Sequence, residues 1–224
     1  MPFVPATADL FDDWALRGRA EGMERGHQPR AIQALEDMPI ALGDKLLDLG
    51  CGNGWATRWL KTKAGKFGSA VGVDAAPEMV ARATELHADQ YGLSFRRASF
   101  DDLVWKDDFF AHAFSMEALY YADDLSAALV EACRVLKPGG TLTICTDFYE
   151  ENPHCHGWPA MMGIPMTLLS EAGWAVALSD AGFAVERSWR CYDPRPVAED
   201  AEDREATIDF RTNIGSLAVR AAKR

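Results

Sequence analysis

The stretch 46-LLDLGCGNGW-55 runs an aliphatic segment into an acid and three alternating glycines, closed by a tryptophan. Glycine at every second position weakens both helix and strand. It permits positive φ and lets a ligand touch the main chain, because no Cβ stands in the way. The pattern reads as a buried strand, 45–49, that ends in a tight turn built for close approach.

Working outward, strands and helices alternate. The segment 55-WATRWLKTKA-64 has the apolar spacing of an amphipathic helix, and 69-SAVGVD-74 is a second strand. Pro77 suits the first turn of a helix over 77–92. Strands follow at 93–99 and 111–116, then a helix over 124–136 that Pro138-Gly139-Gly140 ends. A fifth strand over 141–148, a loop rich in Pro, His and Trp, a helix over 166–181 and a strand over 183–192 come next. A charged run, Glu199 to Glu205, precedes a last strand over 215–223. This order predicts an α/β fold: a doubly wound, mostly parallel seven-stranded sheet with a terminal antiparallel strand. Residues 9–35 read as helical and predict an N-terminal helical lid. One domain over 1–224 is expected, with a lid over 1–40, a cofactor-binding half over 41–147 and an acceptor-side half over 148–224.

In such sheets the ligand sits beyond the carboxyl ends of the strands, beside the first. Gly50, Gly52 and Gly54 lie there, and strand two ends in Asp74, placed to accept the hydrogen bonds of a ribose diol. A dinucleotide turn of the form G-x-G-x-x-G would need a third glycine where this chain has Trp55 or Thr57. Asp48, inside the strand, repels phosphate and suits a ligand with an ammonium or sulfonium. The turn therefore favours a nucleoside without a pyrophosphate.

The stretch LLDLGCGNG resembles the first motif of class I S-adenosylmethionine-dependent methyltransferases, and VGVDAAPEM resembles the second. 99-SFDDLVW-105, 111-AHAFSMEALYY-121 and 134-RVLKPGGTL-142 follow in the family's order. The resemblance implies a Rossmann-like methyltransferase fold that takes S-adenosylmethionine and releases S-adenosylhomocysteine. It implies that Asp48, Gly50, Cys51, Gly52 and Gly54 hold the methionine part and ribose, and that Asp74 binds the ribose hydroxyls. Ala75 and Met79 would border the adenine, Ser99 and Phe100 would meet its polar edge with Asp101 as a substitute, and Ser115 would offer its carbonyl to the ammonium. The segment 11–27 resembles the lid helices of small-molecule methyltransferases, which makes Trp14 and His27 the residues to watch; Trp14 reads equally as a packing residue.

On the acceptor side, Glu117, Tyr120 and Tyr121 follow strand four. Phe148, Tyr149, Glu150, His154, His156 and Trp158 follow strand five. Of these Glu117, Tyr121, His154 and His156 are the candidate catalytic residues. His154-Cys155-His156 offers metal donors, but no further spaced ligands accompany it, and no metal is expected. The expected acceptor is a small molecule attacked through nitrogen or oxygen, less readily carbon. Two other readings stay open: a nicotinamide-dependent oxidoreductase, disfavoured by the missing glycine, and a non-catalytic nucleoside-binding module.

A formal net charge of −11 gives no basic stripe for a phosphate backbone, so no nucleic-acid partner is expected. No leader-like opening or membrane-length apolar run is present, and a cytoplasmic protein with no membrane partner is expected. The five cysteines are scattered without a CxxC pair, as in a reduced protein.

Overall fold

Strand β1 (Lys45–Leu49) lies inside a seven-stranded sheet, in the computed structural model that describes residues 5–201 and 203–224. The sheet order is β3-β2-β1-β4-β5-β7-β6, with β2 Ser69–Asp74, β3 Leu93–Arg97, β4 Phe110–Met116, β5 Leu136–Thr146, β6 Phe183–Cys191 and β7 Ser216–Lys223. The strands β1 to β5 run parallel, and β7 enters antiparallel between β5 and β6. The chain winds from β1 outward to β3, then crosses back to β4 on the other side of β1. That reversal opens a crevice at the carboxyl ends of β1 and β4.

Alternation along the strands builds a core on each face. Leu47 and Leu49 join one cluster with Leu129 and Ala132 of α5 (Leu125–Val135) and Trp174 and Leu178 of α7 (Glu171–Asp180). Leu46 faces the other way, toward Ala31, Ala34 and Leu35 of α2 (Ala20–Glu36) and Trp55, Ala56 and Leu60 of α3 (Trp55–Ala64). Both faces are covered, which is why β1 reads as a nearly continuous apolar run.

The N-terminal helices α1 (Pro5–Leu16) and α2 are separated at Arg17–Arg19, where Gly18 takes a left-handed φ of 70°. The lid was expected from residue 1; residues 1–4 lie outside the described residues, as does Glu202 of the charged run. Pro29 sits inside α2. It has no N–H to give the Arg25 carbonyl, and Arg195 Nη1 donates to that carbonyl instead, at 2.9 Å.

Several boundaries differ from expectation. Helix α4 (Pro77–Leu86) stops short of 92. Strand β5 begins at Leu136, paired with Phe110, so Lys137-Pro138-Gly139 is an exposed irregular arm of the strand and Gly140 is already buried. Helix α7 starts only after Ser170, whose hydroxyl caps it by accepting from the Gly173 N–H at 3.0 Å. The loop after β5 carries α6 (Trp158–Met162), and α8 (Arg204–Asp209) passes through a wide π-turn into β7. No helix among the described residues is long and apolar enough to cross a membrane.

Candidate active site

The glycine turn owes its shape to Asp74. Its carboxylate accepts from the Gly52 N–H and from the Ala76 N–H, each at 3.0 Å, so the ends of β1 and β2 are tied by one side chain. Gly50 has φ 79°, and a Cβ there would stand 2.1 Å from the Ala118 Cβ. Gly52, at φ 50°, has open space where its Cβ would be. Gly54 caps α3, and its missing Cβ leaves room for Phe95 and His87. The first glycine thus admits β4's extension, the second opens toward the crevice, and the third is a packing residue.

A cleft of about 1090 Å³, including its open mouth, lies over this turn. Asp48, Gly50, Cys51, Gly52, Asp74, Ala75, Met79, Ser99, Phe100, Glu117 and Tyr121 all line it, as the sequence predicts. Residues not foreseen there include Thr7, Phe11, Glu24 and Asn53. Helix α2 closes over the turn through Glu24, which accepts from Asn53 Nδ2 at 2.7 Å.

Other expected residues lie elsewhere. Trp14 does not line the cleft; it packs edge-on against Phe11 and under the Arg19 guanidinium, 4.1 Å from its ring, in a small cluster with Ala76 and Met79. Asp101 is outside the lining and accepts from the Ser99 hydroxyl, so it steers Ser99 rather than replacing it. Ser115 is fully buried, and its hydroxyl ties β4 to the Leu49 carbonyl at 3.0 Å. His154 pairs with Asp209 at 2.8 Å and His156 contacts the Glu150 carbonyl at 2.8 Å, both away from the cleft. Their alternation suggested a shared direction, but local turns of the 148–165 loop send each to its own surface partner. His27, on α2, does line the cleft.

The electrostatics are unusual. Burial pushes the Asp48 carboxyl up to about 7, against the pull of the Thr57 hydroxyl that donates to it at 2.6 Å. Burial also raises Asp74, and burial followed by the nearby Asp147 charge raises Glu117 to about 8. Desolvation lowers His27, so it is neutral at pH 7. Three desolvated acids lining one cleft favour a cationic ligand and disfavour a pyrophosphate. Thr7 Oγ1, buried in the lining, has no hydrogen-bond partner among the described residues, and a ligand atom can satisfy it. Open space at Gly52, this orphaned hydroxyl and the acids fit a sulfonium nucleoside.

Comparison with known proteins decides the family. A family model described as a methyltransferase domain matches residues 47–144. The O-methyltransferase resE of Aspergillus sclerotiorum is 33% identical over 218 residues, 91% of this chain and 83% of its own length. The chain belongs to the class I S-adenosylmethionine-dependent methyltransferases.

Like others of its family, this methyltransferase carries the Rossmann-like fold with terminal antiparallel strands. A sterol 24-C-methyltransferase of Yarrowia lipolytica is 32% identical over 177 residues, 74% of this chain but 44% of the relative. The chain thus spans less than half the length of that relative. A solved structure superimposes with a TM-score of 0.88 at 39% identity, covering 95% of this chain and 96% of the other. That chain, assigned as a methyltransferase, is in complex with the Haloferax volcanii Trm112 methyltransferase activator. The expected partners, a small-molecule acceptor with no nucleic acid and no membrane, are corrected here, because that expectation left out a protein partner. A methyltransferase this similar has a protein partner, and net charge or a missing basic stripe says nothing about protein surfaces.

Proposed function

We propose that this chain transfers a methyl group from S-adenosylmethionine to a nitrogen or oxygen nucleophile, releasing S-adenosylhomocysteine, together with a protein activator of the Trm112 kind. One observation carries the donor part: Asp48, Asp74 and Glu117 line a single cleft over a glycine turn. Asp74 receives the ribose hydroxyls, since each of its oxygens keeps a lone pair after accepting a backbone N–H. Ala75, Met79, Ser99 and Phe100 frame the adenine, and Asp48 faces the cationic methionine end through the glycine turn.

The group supplies an electrophilic methyl on a positive sulfur. The chain's own work is alignment and drying. Phe11, Met23, Trp55, Phe100 and Met116 give the cleft apolar walls, and α1 and α2 roof it. The nearly full-length match to an O-methyltransferase supports oxygen as the attacked atom.

The activator part is supported by the similar complex and by a free sheet edge. Strand β3 ends the sheet, and Phe67 and Tyr91, at the feet of β2 and β3, are 88% and 89% exposed. Calorimetry with S-adenosylmethionine, S-adenosylhomocysteine and NAD tests the donor reading: the first two bind, and binding of NAD alone overturns it. Co-expression with a Trm112-type protein tests the second part. The two elute together, and separate elution at micromolar concentration overturns it.

A further inference from the structure

We propose that Glu117 is a catalytic base, the group that takes the proton from the nucleophile as it receives the methyl. The proposal rests on the donor reading above. Glu117 follows β4 at the crevice and lines the cleft. It is one of three non-glycine residues with left-handed φ among the described residues, at 52°, a conformation that costs free energy unless its surroundings require it. Both of its oxygens are held. Oε1 accepts from the Asp147 N–H, and Oε2 accepts from the Tyr120 hydroxyl at 2.9 Å.

The groups around Glu117 leave it without a dedicated cation. From α2 come His27 and Arg30, from the turn Leu119–Tyr121 come Tyr120 and Tyr121, from β5 and its end Cys145 and Asp147, and from the following loop Cys155. The guanidinium of Arg30 is engaged by Asp147 at 2.7 Å, Ser216 at 2.8 Å and the Gly26 carbonyl at 3.0 Å. His27, Glu117 and Asp147 bring ligand atoms within 4.8 Å of one another, the reach of a metal cluster. With Arg30 on Asp147, however, the positive charge such a site needs is already in place. A carboxylate serving only packing would be as well replaced by an amide, because burying an uncompensated charge is costly. A base has to change its charge, and desolvation that brings its titration near neutrality suits that task.

The step balances. A lone pair on oxygen or nitrogen forms the bond to the methyl carbon, and the carbon–sulfur bond breaks with its pair left on sulfur. The nucleophile's proton passes to the Glu117 carboxylate. One positive and one negative charge disappear together inside a poorly solvated cleft, where separated charges are least tolerable. The Tyr120 hydroxyl and the Asp147 N–H position the carboxylate.

The two nucleosides differ by one methyl and one positive charge at sulfur, so their affinity ratio reports the charge on the cleft acids, and the difference between wild type and Glu117→Gln isolates Glu117 without any acceptor. Calorimetry on the full chain from pH 6.5 to 9.5 compares wild type, Glu117→Gln and Tyr120→Phe. In wild type the preference for S-adenosylmethionine over S-adenosylhomocysteine rises with pH, by at most about tenfold between pH 7 and 9 for one group titrating near 8. The part of that rise centred near pH 8 is lost in Glu117→Gln, which leaves only the smaller rise at lower pH that belongs to Asp48. In Tyr120→Phe, which removes a donor to the Glu117 carboxylate, the midpoint of the Glu117 part moves to higher pH. The same rise in Glu117→Gln as in wild type overturns the proposal, and so does a wild-type ratio that ignores pH while both nucleosides bind. Should Glu117→Gln not fold, an unmoved midpoint in Tyr120→Phe overturns it. Failure of both nucleosides to bind wild type at any pH overturns the donor reading instead.

Discussion

Arg30 of the roof helix α2 donates to Asp147 at the end of β5 across 2.7 Å, and both side chains are 6% exposed. The pair links the first part of the chain to the last, because Ser216 of β7 also hydrogen-bonds to both. Arg30→Met leaves Asp147 buried with no guanidinium. Loss of one partner of a buried pair costs about 3–5 kcal/mol. Chemical denaturation shows the loss, and Arg30→Met/Asp147→Asn recovers part of it.

Asp74 shapes the glycine turn and, in the function proposed above, also receives a ribose. Asp74→Ala frees the N–H of Gly52, which lines the cleft, and that of the fully buried Ala76, and leaving the buried donor unpaired lowers the unfolding free energy by about 1–3 kcal/mol. Affinity for S-adenosylhomocysteine falls more than about tenfold, as expected for two lost charge-assisted hydrogen bonds. Calorimetry and thermal melting on the same preparation separate the two effects.

Two glycines two residues apart respond differently to alanine. Gly50→Ala sets a Cβ 2.1 Å from the Ala118 Cβ at φ 79°, adding overlap to backbone strain. Gly52→Ala meets nothing within 4 Å and bears only the left-handed cost of roughly 1–2 kcal/mol. Gly50→Ala therefore lowers the melting temperature the more. Gly52→Ala keeps the fold and loses nucleoside affinity, since its methyl stands in the cleft.

Stability depends on pH through the cleft acids. Asp48, Asp74 and Glu117 have folded pKa values above their unfolded ones, to about 7 for Asp48 and about 8 for Glu117. The folded state holds more protons, so these groups lower stability as pH rises from about 4 to about 8. His27, His87 and His112 are lowered and act in the opposite direction, but only below their ordinary value near 6.5. Between pH 6.5 and 8 the acids act alone, and the ligand-free protein loses stability. Urea melts at the two pH values check this, and Asp48→Asn shows a smaller loss, the difference being on the order of 1 kcal/mol.

The fold was legible where side-chain period and turn chemistry agree. Lys45–Leu49, Trp55–Ala64 and Ser69–Asp74 lie where the alternation and the glycines put them. Boundaries moved where long-range pairing overrode a local signal, as when Phe110 drew Leu136 into β5 ahead of Pro138. The donor side of the cleft was legible for a related reason: Asp48, Gly50, Gly52 and Asp74 are fixed by the turns that end β1 and β2. Of the four candidate catalytic residues only Glu117 and Tyr121, which lie within five residues of the end of β4, reach the cleft. His154 and His156 sit in a long loop, where spacing along the chain says little about direction.

By itself the sequence determined the first two strands, the glycine turn and the acid that closes it, because those depend on neighbours a few residues away. It also pointed to a cationic nucleoside, through Asp48 and through Trp55 in place of a glycine. Only the tertiary structure decided that Arg30 hydrogen-bonds to Asp147, or that Phe11 rather than Trp14 faces the cleft. Those contacts join residues far apart in sequence. They depend on how α1 and α2 settle over the ends of β4 and β5, which no local periodicity encodes.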